Sequence, residues 1–486
     1  MDARSQLPVS LPHANPTKSY WQDPPDPELA NFLSSESLPE DLLDTVIIGC
    51  GITGTSVAWH LLNGKKAQGD GNKGEKIVML EARQAGSGAT GRNGGHTKAA
   101  SYRSFPSNLQ TLGKDEAIKI ARLEYRTIQA THNFARAHNI DCESRNCDTV
   151  DIIYDDGQWA DTISAIALMK EIFTEEGDKD GVARYHVYDA SEAQKKFHVH
   201  GQGTEGESVK GAVCYEAGSI SAYKFTIGIL KLCMSRRLQL YTNTHATRIF
   251  KGLDGIWNIE TERGVVKGKR VVVATNGYTA RILKQFQGAI VPLRGQVTAQ
   301  RPGSSMPSAG LETTYSFIYG SGYEYMISRP RDSMYPGDIV IGGGLVKAPQ
   351  EGLYEYGTTD DTMINSIIST YINDSTESYF GSSWGDDHED GRVRREWTGI
   401  MGYSPDGFPF VGEVPEKENM WIAAGFQGHG MALCWECGRG LVEMMDGVDA
   451  GEWFPEIFRV SKERMGRRFV GRLHTVPMGV EDNARL

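Results

Sequence analysis

Hydrophobic and polar positions change their period several times along this chain. The first 43 residues follow no period and hold seven of the nineteen prolines, including Pro24, Pro25 and Pro27. That predicts an extended arm (1–43) laid over a surface through Tyr20 and Trp21, rather than a domain. At 45–48 the chain turns continuously apolar (TVII), as a strand buried on both faces requires. A helix-like run, 55–63, follows at once, and 76–80 (KIVML) predicts a second strand. The polar stretch 65–75 between them reads as a surface loop. From Asp115 to Asn139 the spacing becomes helical, with Ile118, Ala121, Tyr125, Ile128, His132 and Ala135 on one face. Val150–Tyr154 predicts a strand, Trp159–Glu175 a second helix, and 189–192 (DASE) a capping box before a short third one. Strand patterns resume at Gly211–Tyr215, Ala246–Phe250, Gly255–Thr261 and Arg270–Ala274. Thr313–Arg329 and Gly337–Val346, rich in Tyr and Ile, suit an antiparallel sheet. A last apolar strand, Met420–Ala424, leads through glycines into a helix, Met431–Met445.

The order predicts an α/β chain with α+β character. A Rossmann-like domain of the glutathione-reductase type is interleaved with an antiparallel-sheet substrate domain. The expected nucleotide domain comprises 44–105, 205–290 and 391–486, and the expected substrate domain 106–204 and 291–390.

The first strand ends in a GxGxxG turn. Gly49 permits the tight turn, Gly51 lets a pyrophosphate approach the backbone, and Gly54 lets helix and strand pack closely. With Ile52 and Thr53 they place the positive end of a helix at the phosphates. Glu81, closing the second strand, is suited to ribose hydroxyls. A nucleotide domain to which the chain returns at its end favours a flavin over NAD, because a large, permanently bound group needs contacts from distant stretches. Gly342, Gly343 and Gly344 also follow a strand, but no helix start follows them, so backbone lying close to a ligand is the better reading.

Composition narrows the classes. At 486 residues the chain is too long for one core. A formal charge of −11 argues against nucleic acid as a partner. No apolar run approaches the ~20 residues of a membrane helix, and the start lacks an apolar signal core. Seven scattered cysteines fit free thiols in a reducing compartment. Cys434 and Cys437 read as buried packing, and no metal-ligand cluster stands out. The final Ala484-Arg485-Leu486 has the pattern of a peroxisomal address, so a cytoplasmic or peroxisomal location is expected. The oligomeric state has no signature.

The stretch 82–96 (ARQAGSGATGRNGGH) is no longer generic. With the first glycine turn it resembles the flavin-dependent D-amino-acid oxidase / sarcosine oxidase superfamily, and within it the γ-glutamylputrescine oxidoreductase-like (DadA-like) branch. Similar segments are 216–222 (EAGSISA), 271–277 (VVVATNG), 292–296 (PLRGQ), 395–399 (REWTG), 405–409 and 423–430 (AAGFQGHG). The resemblance implies FAD as cofactor. Its site is expected to include Ala82, Arg83, Ser87, Gly88, Ala89, Thr90, Arg92, Asn93, Gly94, Gly95 and His96. Thr247, Ala274, Thr275, Asn276 and Gly277 belong to the same expected site. So do Trp397, Gly399 and Asp406, and the last loop, Gly425, Gln427, Gly428, His429, Gly430 and Met431.

Two departures matter. Some relatives tether flavin through a cysteine where this chain has Gly399, or a histidine where it has Arg92, so non-covalent FAD is expected. Sarcosine-oxidase relatives activate oxygen with a lysine whose matched position is Val346, one residue before Lys347. A one-residue slip turns a side chain to the other face, which leaves oxidase and dehydrogenase both open. The catalytic candidates are Lys347, His429, Tyr325 and Arg329, with Tyr319, Tyr323 and Arg103 as further substrate contacts. The expected reaction oxidises the C–N bond of a small amine or amino acid to an imine, with electrons passing to oxygen or another acceptor. A flavin dehydrogenase acting on a hydroxy acid or polyamine, and a flavoprotein without catalysis, are the alternatives.

Overall fold

A computed structural model describes residues 1–64 and 75–472. Two sheets carry the architecture. In the first, β1 (Leu43–Ile48) is central. It is followed by α1 (Ile52–Asn63) and β2 (Ile77–Leu80). Next in sequence come α2 (Ser101–Leu112), α3 (Lys114–Ala137) and β3 (Arg145–Ile153). They are followed by β4 (Gly211–Ser219), α4 (Ala222–Met234), β5 (Gln239–Tyr241) and β6 (Gly264–Val273). The second sheet takes four adjacent strands from β7 (Val291–Gln300), β8 (Thr314–Tyr319), β9 (Gly322–Ser328) and β10 (Ile339–Gly342). Helix α5 (Ser366–Phe380) covers it, and β11 (Val393–Tyr403) completes its edge. The chain then returns to the first sheet with β12 (Phe410–Glu413), β13 (Met420–Ala424) and α6 (Gly430–Met445).

The first sheet runs β12-β13-β6-β1-β2-β5, parallel along this path except for the β12–β13 pair, and Trp257–Thr261 and Ala246–Lys251 extend it from β6 as an antiparallel ladder. Val46, Ile47 and Ile48 are buried because both faces are covered. On one face α1 meets α6: the Ser56 hydroxyl donates to the Trp435 carbonyl at 2.7 Å, and Val57, Leu61, Trp435 and Leu441 share one core. Each such buried side chain stabilises by about 1.5–3 kcal/mol relative to exposure.

The second sheet runs β11-β7-β10-β9-β8-β3-β4. It is antiparallel apart from one parallel pair, β3 with β8. It draws on more of the chain than expected. Strand β4 and the edge pair His96–Thr97, placed by the sequence in the nucleotide domain, hydrogen-bond here, and so does β11. Conversely α3, expected in the substrate domain, sends Ile120, Leu123 and Ala135 into the nucleotide core. The reason is periodicity. Helical spacing says which residues face a core, not which core they face.

Other elements follow their local signals. The Asp189 capping box closes in both directions. Thr313–Arg329 forms the β8–β9 hairpin, and the strand expected to reach Val346 stops at Gly342. Helices α2 and α5 form where no element was expected; α2 buries Tyr102 and Phe105, and α5 buries Ile368, Ile372 and Tyr379. The N-terminal arm is held down along its length: Tyr20 stacks on Trp397 with ring centres 6.0 Å apart, and the Trp21 indole donates to the Asn93 carbonyl at 2.6 Å. Both rings are buried. Residues 65–74 of the expected loop 65–75 and the Ala484-Arg485-Leu486 tail lie outside the described residues. Among the described residues no helix is long and apolar enough to cross a membrane.

Candidate active site

One cavity reaches both sheets. At its nucleotide end it is lined by Gly49, Gly51, Ile52 and Thr53. Gly49 holds a φ of +106°, and a Cβ there would lie 2.5 Å from the Ala274 carbonyl oxygen. Gly54 does not line the cavity: a Cβ on it would meet the Gly49 carbonyl oxygen at 2.0 Å, so its part is the close packing of helix on strand. The N-cap Gly51 brings no side chain to α1, so beyond the Ile52 N–H, which Thr90 takes, its positive end is available to an anion. Glu81 lines the cavity with Ala82 and Arg83, and its carboxylate accepts the backbone N–H of Cys50 at 3.0 Å and of Arg83 at 2.9 Å. Those bonds fix the carboxylate while leaving it lone pairs for ribose hydroxyls.

The 87–96 loop divides in two. Gly88, Ala89, Thr90, Arg92 and Asn93 line the cavity, and Thr90 Oγ1 accepts the Ile52 N–H at 3.0 Å. Ser87, Gly94, Gly95 and His96 support it from outside. The Ser87 carbonyl accepts from Arg83 at 3.2 Å, and Gly95 N–H donates to Asn93 Oδ1 at 2.8 Å. His96 lies off the cavity wall. Its Nε2 is 2.7 Å from Thr314 Oγ1, and burial holds its pKa well below the ordinary range, so it is a neutral link between two strands of the second sheet. Arg92, expected to offer donors to the ring, spends its guanidinium on the Thr398 carbonyl at 2.5 Å and on Thr17. Burial lowers its pKa to about 10.

Ala274, Thr275 and Asn276 line the cavity, whereas Gly277 packs on the Met401 carbonyl. Asn276 Oδ1 accepts the Gly425 N–H at 3.0 Å, joining the β6 turn to the last glycine loop. Thr247 is displaced by register. Its hydroxyl bonds the Glu260 carbonyl at 3.1 Å, while His245 and Ala246 take the cavity wall.

At the late turn Gly399, Gly428, Gly430 and Met431 line the cavity. Trp397 is fully buried beneath it and donates to the Arg92 carbonyl at 2.7 Å. Gln427 turns inward to the Ser404 hydroxyl at 2.7 Å and the Gly425 carbonyl at 2.8 Å. Asp406 braces the same loop through Arg464, at 2.7 Å, and is not on the cavity wall. Burial alone would raise its pKa, but the Arg464 hydrogen bonds and charge outweigh it and hold the carboxyl below the usual range.

The catalytic candidates part company. Tyr325 lines the cavity with Tyr319 and Tyr323, its ring fitted between Gly94 and Gly342, where a Cβ would come within 2.4 and 2.5 Å of it. Arg329 does not reach the cavity. It forms a buried pair with Glu143 at 2.5 Å and donates to the Tyr20 hydroxyl at 2.7 Å, so its charge is already spent. Lys347 is also turned away: Val346 lines the cavity, and Lys347 Nζ pairs with Glu205 at 2.6 Å. The strand ends before a bulge can restore the lysine. His429 caps α6. Its ring is reachable by solvent, yet protein surrounds it closely enough that desolvation, then the charges of Arg103, Lys98 and Arg472, lower its pKa to about 4. It is therefore a neutral imidazole at physiological pH and adds no positive charge.

Sequence reasoning missed several lining residues. Leu11 and Pro12 come from the arm, which carries no motif. Arg472 also lines the cavity, and Tyr323 is flanked by Arg103 and Arg472, 5.3 and 5.4 Å from its ring centre. Arg472 ends a basic stretch, 462–472 (KERMGRRFVGR), that carries no motif.

The donor set fits FAD: α1 and Glu81 for the adenosine diphosphate, the 88–93 loop and the Gly428–Met431 turn for the ring. Residues 44–444 match the model of the DAO family, FAD dependent oxidoreductases, and the chain belongs to that family. It is 21% identical to gamma-glutamylputrescine oxidoreductase of Escherichia coli (strain K12), over 83% of this chain and 84% of that protein. Against a probable oxidoreductase OrdL of Haemophilus influenzae it is 20% identical, over 84% and 83%. Among solved structures, glycine oxidase from Geobacillus kaustophilus shares the fold with a TM-score of 0.67 at 17% identity, covering 86% of this chain and 98% of that one. L-Proline dehydrogenase from P. horikoshii does so at 0.65 and 18%, covering 87% and 98%.

Proposed function

We propose that the protein oxidises the C–N bond of a small amine or amino acid to an imine. The observation that carries this is the meeting of two glycine turns, near Gly51 and Gly428, on one cavity that continues to a wall of tyrosines. FAD held there non-covalently supplies a two-electron acceptor for the hydride on the carbon beside nitrogen. The chain's own residues do the rest. Tyr319, Tyr323 and Tyr325 exclude water and orient the amine against the ring face. Arg103 and Arg472, on either side of Tyr323, make that end attractive to an anionic substituent. Relatives named for gamma-glutamylputrescine, for glycine and for 4-methylaminobutanoate support a nitrogen substrate.

Electrons then pass to oxygen, giving hydrogen peroxide. A second reading, with another electron acceptor, is favoured by one observation: Val346, not Lys347, faces the cavity. The relatives from Escherichia coli and Haemophilus influenzae are bacterial, which lends no support to a peroxisomal destination. Seven free cysteines suit the cytoplasm.

The test is anaerobic mixing of the yellow protein with glycine, L-proline, 4-methylaminobutanoate and gamma-glutamylputrescine. At least one should bleach the flavin's visible band, and air should restore it with release of peroxide. Bleaching by hydroxy acids alone would overturn the amine reading, and re-oxidation only by an added dye would establish the second acceptor. Acid precipitation should leave the yellow colour in the supernatant.

A further inference from the structure

Glu324 is fully buried on β9, between Tyr323 and Tyr325, which line the cavity. Alternation along the strand sends Glu324 to the opposite face. There it accepts four hydrogen bonds: from Tyr319 at 2.7 Å, Tyr379 at 2.6 Å, Tyr371 at 3.2 Å and the Gly344 N–H at 3.2 Å. Among the described residues no Lys or Arg forms an ion pair with it. A carboxylate buried on phenols alone is a costly arrangement, and its neighbours suggest a use.

Tyr319 closes β8 and touches both sides. It lines the cavity, and a Cβ at cavity-lining Gly322 would lie 3.0 Å from its hydroxyl. On the other side, Tyr371 on α5 is 3.1 Å from Thr204 Oγ1 in a surface loop, beside exposed Glu205. The chain of hydroxyls and one carboxylate is continuous from cavity to surface. Resting on the amine-oxidation reading above, we propose that Tyr319, Glu324, Tyr371 and Thr204 form a proton path, and that Glu324 takes the proton a substrate ammonium must lose before its hydride can leave.

The step balances without redox chemistry. One ammonium N–H bond breaks as the proton moves to the Tyr319 oxygen. The Tyr319 O–H proton moves to Glu324 Oε1, forming one carboxyl O–H. Tyr371 meets the other carboxyl oxygen, Oε2, so the carboxyl group turns over before passing its proton to the Tyr371 oxygen, as Tyr371 gives its own to Thr204 and water. An alkylammonium has a pKa of about 10, far above an ordinary carboxyl. Burial raises that of Glu324, against the hydrogen bonds of the tyrosines, which narrows the gap.

The surroundings are consistent. Lys347 Nζ sits 4.5 Å from the Tyr319 ring centre and 5.0 Å from that of Tyr371, so a positive charge covers both phenols. Its partner Glu205 offsets that charge at the surface end. Tyr154, whose buried hydroxyl has no partner, faces Glu324 and Glu207. Tyr379 donates to Glu324 but leads to no exit beyond Tyr371.

The test compares Glu324→Gln, Tyr319→Phe, Tyr371→Phe and Tyr379→Phe at matched FAD content. Anaerobic flavin reduction by whichever of the four amines bleaches wild type is followed from about pH 6 to about pH 10. Glu324→Gln and Tyr319→Phe should slow reduction on the order of 100-fold near neutrality and recover as pH passes the amine's own pKa, while Tyr379→Phe, which removes a hydrogen bond from Glu324 but leaves the path uncut, should slow it far less. A loss equal at every pH, or an unchanged profile, overturns the proposal. If Glu324→Gln does not fold, Tyr371→Phe keeps the acceptor and cuts its exit. It should show the same pH-dependent slowing, and an unchanged profile overturns the path. If none of the four amines bleaches the flavin, the amine reading fails separately. The path is then read from the infrared difference spectrum of flavin photoreduction. A carboxylic C=O band present in wild type and missing from Tyr319→Phe supports it, and identical spectra overturn it.

Discussion

The two ends of the cavity are built on opposite principles. At the nucleotide end the backbone does the work: Gly49, Gly51 and the uncapped start of α1 act through what they lack, a Cβ or a capping side chain. At the far end side chains do the work. Tyr319, Tyr323 and Tyr325 come from one hairpin, Gly343 and Val346 from the turn after β10, and Arg472 from near the end of the described chain. The first kind of site tolerates almost no change in volume and is spelled out locally. The second tolerates change better, and its parts meet only when the second sheet closes.

Breaking the first end should have the largest effect. Gly54→Val drives a side chain into the Gly49 carbonyl and should destabilise on the order of 5 kcal/mol. Protein recovered without yellow colour, or not recovered at all, is expected, and a stable FAD-loaded variant would erase the contrast. Tyr325→Ala should instead keep fold and FAD. Removing a ring fitted between Gly94 and Gly342 should lower kcat/KM about tenfold, measured by steady-state kinetics. A colourless Tyr325→Ala protein would show that this end also holds the cofactor.

A smaller effect separates the brace from the site. The Asp406 carboxyl is held below its ordinary pKa by Arg464. Its stabilisation is therefore complete above the unfolded carboxyl's pKa of about 4 and is lost as pH falls through the lower folded value. Wild-type Tm should drop more steeply below about pH 4 than that of Asp406→Asn. Parallel curves would remove Asp406 from the brace. The least effect is expected at Thr247, whose hydroxyl meets only the Glu260 carbonyl. Thr247→Ala should cost under about 0.5 kcal/mol and leave FAD affinity, by fluorescence titration, unchanged.

Legibility followed the same divide. The GxGxxG turn, Glu81 and the late glycine loop were readable because each works through neighbours a few residues away. Arg329 was misread. Its residue type suits a substrate carboxylate, but Glu143, far off in sequence, had already claimed it. Lys347 was a question of register, and the strand's early end at Gly342 answered it. His96 and Trp397 looked like cofactor contacts, but the structure spends His96 on Thr314 within the second sheet and the Trp397 indole on the Arg92 carbonyl.

The sequence by itself determined the nucleotide fold, its flavin cofactor and the two turns that meet it, because apolar period and missing Cβ atoms are local properties. Only the tertiary structure decided which charges remain free to act. A buried Arg, Lys or Glu is defined by the partner it finds, and that partner can stand hundreds of residues away. Glu324 shows the consequence: one acidic residue in a tyrosine-rich strand, indistinguishable from its neighbours until folding surrounds it with phenols.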